Sequence, residues 1–115
     1  MVNKDLEAKL GRLMDDISEI EGLIAFDGKG TVTVGQTLTE MDKAALGKGA
    51  ADVLAKAKAL GNVSGKGGVN SIVISFESGS SVIVGADKTG IVSIEGDDAA
   101  QSIALISRSL KSLVQ

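Results

Sequence analysis

Three short apolar runs crowd the second half of the chain: SIVISF at 71–76, SVIVGA at 81–86 and GIVSIEG at 90–96. The connections between them, Glu77-Ser78-Gly79-Ser80 and Asp87-Lys88-Thr89, are of hairpin length, so the runs read as an antiparallel meander. Successive side chains of a strand point to opposite faces of its sheet. Here both faces carry aliphatics: Ile72, Val73 and Ile74 in the first run, Val82, Ile83 and Val84 in the second. A sheet of that kind leaves no side for water and needs helices over both. The rest of the chain has to supply them.

Leu6, Leu10, Leu13, Ile17 and Ile20 alternate in steps of four and three among charged residues, which predicts an amphipathic helix. Asn3 or Asp5 supplies its N-cap, and Gly22 stops it. From Leu23 the period becomes two. LIAF, the turn Asp27-Gly28-Lys29-Gly30 and TVTVGQT predict a hairpin; the tip lacks the alternating carboxylates of a calcium loop. A second helix is expected through TEMDKAALGKGAADVLAKAKAL, capped by Thr39 or Thr37 and ended by Gly61. Glu40 and Asp42 fall in its first turn, Lys56 and Lys58 in its last. Gly47 and Gly49 inside it each cost on the order of 1 kcal/mol relative to Ala. Either they admit another backbone at close range, or tertiary packing tolerates them.

The segment Gly61–Asn70 is a flexible connector that fails the phosphate-loop pattern, because its lysine is followed by Gly and it follows a helix instead of a strand. A last helix is expected with Asp97 and Asp98 as cap and Ala99, Ile103, Ile106, Leu110 and Leu113 as its stripe. Arg108 and Lys111 lie toward its C-terminal end. The whole, residues 1–115, reads as one domain.

The composition narrows the chemistry. The chain has no Cys, His, Trp, Tyr or Pro, so thiolate nucleophiles, disulfides and the usual metal ligands and general bases are excluded. An enzymatic site would need a carboxylate or Ser/Lys cluster, for example at Asp87-Lys88 or Asp97-Asp98, and turn and cap roles account for those residues. No catalytic, cofactor-binding or metal-binding residue is assigned. With 12 basic against 15 acidic residues and only Phe26 and Phe76 as rings, nucleic-acid binding is not expected. No stretch approaches the ~20 apolar residues of a membrane helix, and MVNKDLEAKLGR lacks a signal-peptide core, so a cytoplasmic protein is expected, without membrane insertion.

The order α-β-β-α-β-β-β-α, with ISEIEGLIAFDGKGTVTV running from helix into hairpin and SIVISFESGSSVIVGADKTGIVSIEG followed by a helix, resembles the Roadblock/LC7 family over Leu6 to Leu113. The absence of a proline before Gly22 and the aromatic-poor core point to a prokaryotic, archaeal or bacterial, branch. The resemblance implies an α+β sandwich of profilin/longin-like type: a five-stranded antiparallel sheet with two helices on one face and one on the other. It further implies dimers, in which the central helices pack together and the third strands pair edge to edge. Family members serve as dynein light chains, as lysosomal adaptors for small GTPases and, in bacteria, as MglB-type GTPase regulators.

Carried onto this chain, the interface consists of Ala45, Gly49, Asp52 and Lys56 on the middle helix with Ser71, Val73 and Ser75 on the third strand. Lys48 and Asp52 form either a solvated helix pair or a cross-dimer bridge. SIVISF supports the dimer independently, since it carries no charge or proline to block pairing at a sheet edge. The expected function is that of a non-enzymatic homodimeric adaptor or regulator of a small Ras-like GTPase, acting as scaffold or GTPase-activating partner. Arg12 and Arg108 are the only candidates for an arginine finger. The alternative is a structural, light-chain-like module that binds a partner peptide by sheet-edge augmentation.

Overall fold

The structure, a computed structural model, describes residues 4–86, 88–99 and 101–114. Its elements are α1 (Lys4–Asp16), β1 (Ile20–Asp27), β2 (Val32–Thr37), α2 (Lys43–Val63), β3 (Ile72–Phe76), β4 (Gly79–Ala86), β5 (Thr89–Glu95), a short 3-10 turn (Asp97–Ala99) and α3 (Ile103–Val114). The strands form one antiparallel sheet in the order β2-β1-β5-β4-β3. The two hairpin units therefore meet along β1 and β5, and β2 and β3 are the edges.

The period-two alternation divides the core. Leu23 and Ala25 of β1 join Leu6, Leu10, Val82, Val84, Ile91, Ile106 and Leu110 in a cluster beneath α1 and α3. Ile24 and Phe26 join Ala50, Leu54, Ile83 and Val92 beneath α2. Two helices cover one face and one covers the other, as the doubly apolar strands require. The first hairpin also forms as expected. Lys29 N–H and Thr31 N–H both donate to the Asp27 carboxylate (2.9 and 3.0 Å), and Gly30 supplies the positive φ of 85°.

Several boundaries differ from the sequence expectation. α1 ends at Asp16, and Ile20 and Gly22 belong to β1. The four-and-three spacing runs past the helix because β1 carries an irregularity between Ile20 and Gly22. That bulge turns Ile20 and Leu23, three apart, onto the same face, and both enter the α1/α3 cluster. Asp5 lies within the helix and pairs with Lys9 (3.1 Å); Asn3 lies outside the described residues.

The cap of α2 is Asp42, whose carboxylate accepts from Ala45 N–H at 3.1 Å. Thr37 is held in β2, and Thr39 and Glu40 precede the cap. Gly61 does not end α2, which continues to Val63 and leaves Lys56 and Lys58 short of its last turn. The stop comes at Gly65, with a positive φ of 73°, while the Gly61 carbonyl accepts from Lys66 and Gly67 N–H (2.9 and 3.1 Å). Gly79 and Ser80 belong to β4, so the β3–β4 turn is the two residues Glu77 and Ser78. Asp97 and Asp98 form the 3-10 turn and do not cap α3; Asp87 lies outside the described residues.

Candidate interaction surface

The interface residues expected on α2 form one stripe. At about 100° per residue, Ala45, Gly49, Asp52 and Lys56 fall on the side of the helix opposite its buried contacts Gly47, Ala50 and Leu54, and all four are exposed. The two glycines have different surroundings. A Cβ on Gly47 would stand 2.7 Å from Val32 Cγ2 and 3.0 Å from the Gly30 carbonyl oxygen, whereas one on Gly49 would meet nothing within 4 Å. Close approach explains Gly47, and the approaching segment is the chain's own hairpin. Gly49 leaves open space on the outer face.

The same stripe ends in Leu60 and, through the continuation of α2 past Gly61, Val63, exposed at 69% and 86%. An expected stop at Gly61 leaves Val63 outside the helix, although the four-and-three spacing through Lys56, Leu60 and Val63 carries its signal. Lys48 and Asp52 form no ion pair within the chain among the described residues.

Ser71, Val73 and Ser75 come together on the β3 edge, all exposed. Phe76 pairs with Gly79 across the two-residue turn, so Phe76, Ile74 and Ile72 direct their backbone groups toward β4. By alternation the N–H and C=O groups of Ser71, Val73 and Ser75 point out from the sheet. Val73 is 51% and Phe76 56% exposed. The side chains of Val73 and Ser75 lie on the face of the sheet away from α2, since Ile72 and Ile74 pack beneath it. What the edge presents beside the α2 stripe is strand backbone.

Beyond this surface, among the described residues, lies one buried acid. Glu95 on β5 is 1% exposed; Ser80 Oγ donates to its Oε1 (3.2 Å), and its Oε2 has no partner. Burial pushes its carboxyl above the ordinary range, with the charge of Glu21 adding to the shift and hydroxyls of Ser93 and Ser80 opposing it. Glu19 is held low by its own backbone amide and by Ser102 Oγ, which donates to it at 3.0 Å and ties the α1–β1 turn to the start of α3. Asp27 is held low by the Thr31 and Lys29 amides, which marks it as a turn-forming residue. Among the described residues no group of three or more His, Cys, Asp or Glu is placed to hold a metal ion, and no helix is long and apolar enough to cross a membrane.

The fold has solved counterparts. A Roadblock/LC7 domain from Streptomyces avermitilis superposes with a TM-score of 0.82 at 14% identity, over 98% of this chain and 92% of that one. MglB from Myxococcus xanthus gives 0.78 at 18% identity, over 97% and 92%. The gliding protein MglB from Thermus thermophilus gives 0.77 at 16% identity, over 99% and 93%. At such identities the likeness is one of fold, and no curated protein matches the sequence. The family model for the Roadblock/LC7 domain matches residues 7–95, from the first turns of α1 through the end of β5. The chain belongs to the Roadblock/LC7 domain family.

Proposed function

We propose that this protein is a cytoplasmic, single-domain homodimer that regulates a small Ras-like GTPase without catalytic residues of its own. The observation that carries the dimer is the uncovered α2 face. A stripe running from Ala45 and Gly49 to Leu60 and Val63 has room for a second backbone at Gly49 and exposes aliphatic side chains at its end. Ala45, Gly49, Asp52 and Lys56 would meet their symmetry mates there, while Ser71, Val73 and Ser75 pair strand to strand at the β3 edge. The GTPase part rests on family membership and on the fold likeness to MglB. In this reading the dimer acts by holding the switch loops of the GTPase, as a scaffold or an activator.

Sedimentation at tens of micromolar tests the dimer. A dimer that becomes monomeric on Gly49→Trp or Val73→Lys is expected, and a native monomer overturns it. The regulatory part is tested with a small GTPase from the same cell. Nucleotide-dependent binding or a changed hydrolysis rate is expected, and neither effect overturns it.

The outward backbone groups of Ser71, Val73 and Ser75 also favour a second reading, in which the edge takes an extended peptide from a structural partner. Saturable peptide binding that ignores guanine nucleotide and competes with dimerisation would select it.

A further inference from the structure

A groove of about 470 Å³ runs between α1 and α3, on the side of the sheet away from α2. Its floor is Leu13 and Leu113, partly buried and packed on the core. Lys9 and Arg12 line it from α1 and Arg108 from α3, with Asp16 as the one acidic residue. The fold has thus gathered the only two arginines of the chain, from opposite ends of the sequence, into one groove. Both are exposed, and among the described residues neither forms an ion pair; Lys9 alone has one, with Asp5. α3, IALISRSLKSLV, contains no acidic residue to neutralise Arg108. With Lys9 held by Asp5, two unpaired guanidinium groups face one acid, a local excess of positive charge in a chain of net charge -3.

We propose that this groove docks an acidic segment of a partner protein, with its carboxylates on Arg12 and Arg108 and an aliphatic side chain over Leu13 and Leu113. Guanidinium groups match carboxylates in planar, two-point geometry. The apolar floor separates this occupant from a bare phosphate, which would use the cations and leave both leucines uncovered. A negatively charged bilayer, a broad surface, would also meet Glu7 and Asp15 of the same helix, which lie outside the groove lining, whereas a segment seated in the groove does not. The groove lies apart from the α2 stripe and the β3 edge, so it stands whether or not the partner is a GTPase and whether or not the chain dimerises.

Fluorescence anisotropy of the full chain with a labelled peptide of alternating acidic residues and leucine tests the site, with an Asn/Gln version of the peptide as control. The acidic peptide binds saturably, more weakly as salt is raised, and the control does not. Arg12→Glu with Arg108→Glu weakens binding about tenfold or more, because each exposed attraction becomes a repulsion. Arg12→Lys with Arg108→Lys keeps most of it, and both double variants keep the native circular dichroism. Equal binding of the control peptide, or indifference to charge reversal, overturns the proposal. So does preference for phosphatidylserine vesicles, displacement of the peptide by inorganic phosphate at matched ionic strength, or a change in sedimentation on charge reversal, which would make the groove a contact between copies.

Discussion

The layer made by α1 and α3 and the layer made by α2 cover the same sheet in different ways. α1 and α3 are short and amphipathic, and they reach the sheet with large aliphatics: Leu6 and Leu10 from one, Ile106 and Leu110 from the other. α2 is the longest helix at 21 residues, yet it buries only Gly47, Ala50 and Leu54. Its small residues bring the helix backbone down onto the hairpin, and two of its larger apolar groups, Leu60 and Val63, face outward. The first layer closes the core with its own large side chains. The second is complete only on its inner side, which is the physical basis for placing a dimer there.

The contrast is sharpest in what truncation does to the two layers. Leu110→Ala, at a fully buried site, is expected to cost about 2–5 kcal/mol in urea unfolding. Leu60→Ala in the monomeric protein should stay within about 0.5 kcal/mol. Equal costs would show that α2 is covered within the chain. Next in size, Gly47→Ala forces a methyl against Val32 and the Gly30 carbonyl and should cost about 1–3 kcal/mol. Gly49→Ala should do the reverse, stabilising the isolated chain by about 0.5–1 kcal/mol through helix propensity. If both glycines respond alike, the two faces of α2 are not distinct.

The smallest effect is one of pH, at Glu95 on β5. The native state holds the proton of Glu95 more tightly than the unfolded chain does. Below the ordinary carboxyl range both states are protonated and the residue carries no penalty; as pH rises through the raised native pKa, the native state loses stability. Glu95→Gln therefore raises stability at neutral pH, and the gain fades in acid. Glu19 and Asp27, held low, act in the opposite sense: they stabilise above the ordinary range, and the contribution disappears as pH falls through their native values. Denaturant midpoints followed across pH check this, and a Glu95→Gln gain as large in strong acid as at neutrality would contradict it.

Where an element's signal was local, it was legible from the residues. The Asp27–Gly30 turn carries its own hydrogen-bond acceptor and its own left-handed glycine. The doubly apolar strands demanded two covering layers, and the stripe of Leu6, Leu10 and Leu13 announced α1. Boundaries failed where a distant neighbour intervened. Ile20 continued the helical spacing only because a bulge paired against β5 turned it to the face of Leu23. Gly61 resembled a stop, but its carbonyl anchors the loop amides of Lys66 and Gly67 beyond the end of α2. The outer stripe of α2 was legible from Ala45 to Leu60, and only its last apolar member, Val63, lay past the misplaced stop.

The order of elements, the two-sided sheet and the absence of thiol and imidazole chemistry were readable from the residues, because spacing, turn residues and composition are properties of the chain taken a few residues at a time. Tertiary structure alone decided which glycine of α2 meets the hairpin and which meets open space, that Glu95 is buried beside Ser80, and that Arg12 and Arg108 share a groove. Each of these depends on what stands across the sheet or on the neighbouring helix, and only the folded chain brings those neighbours within reach.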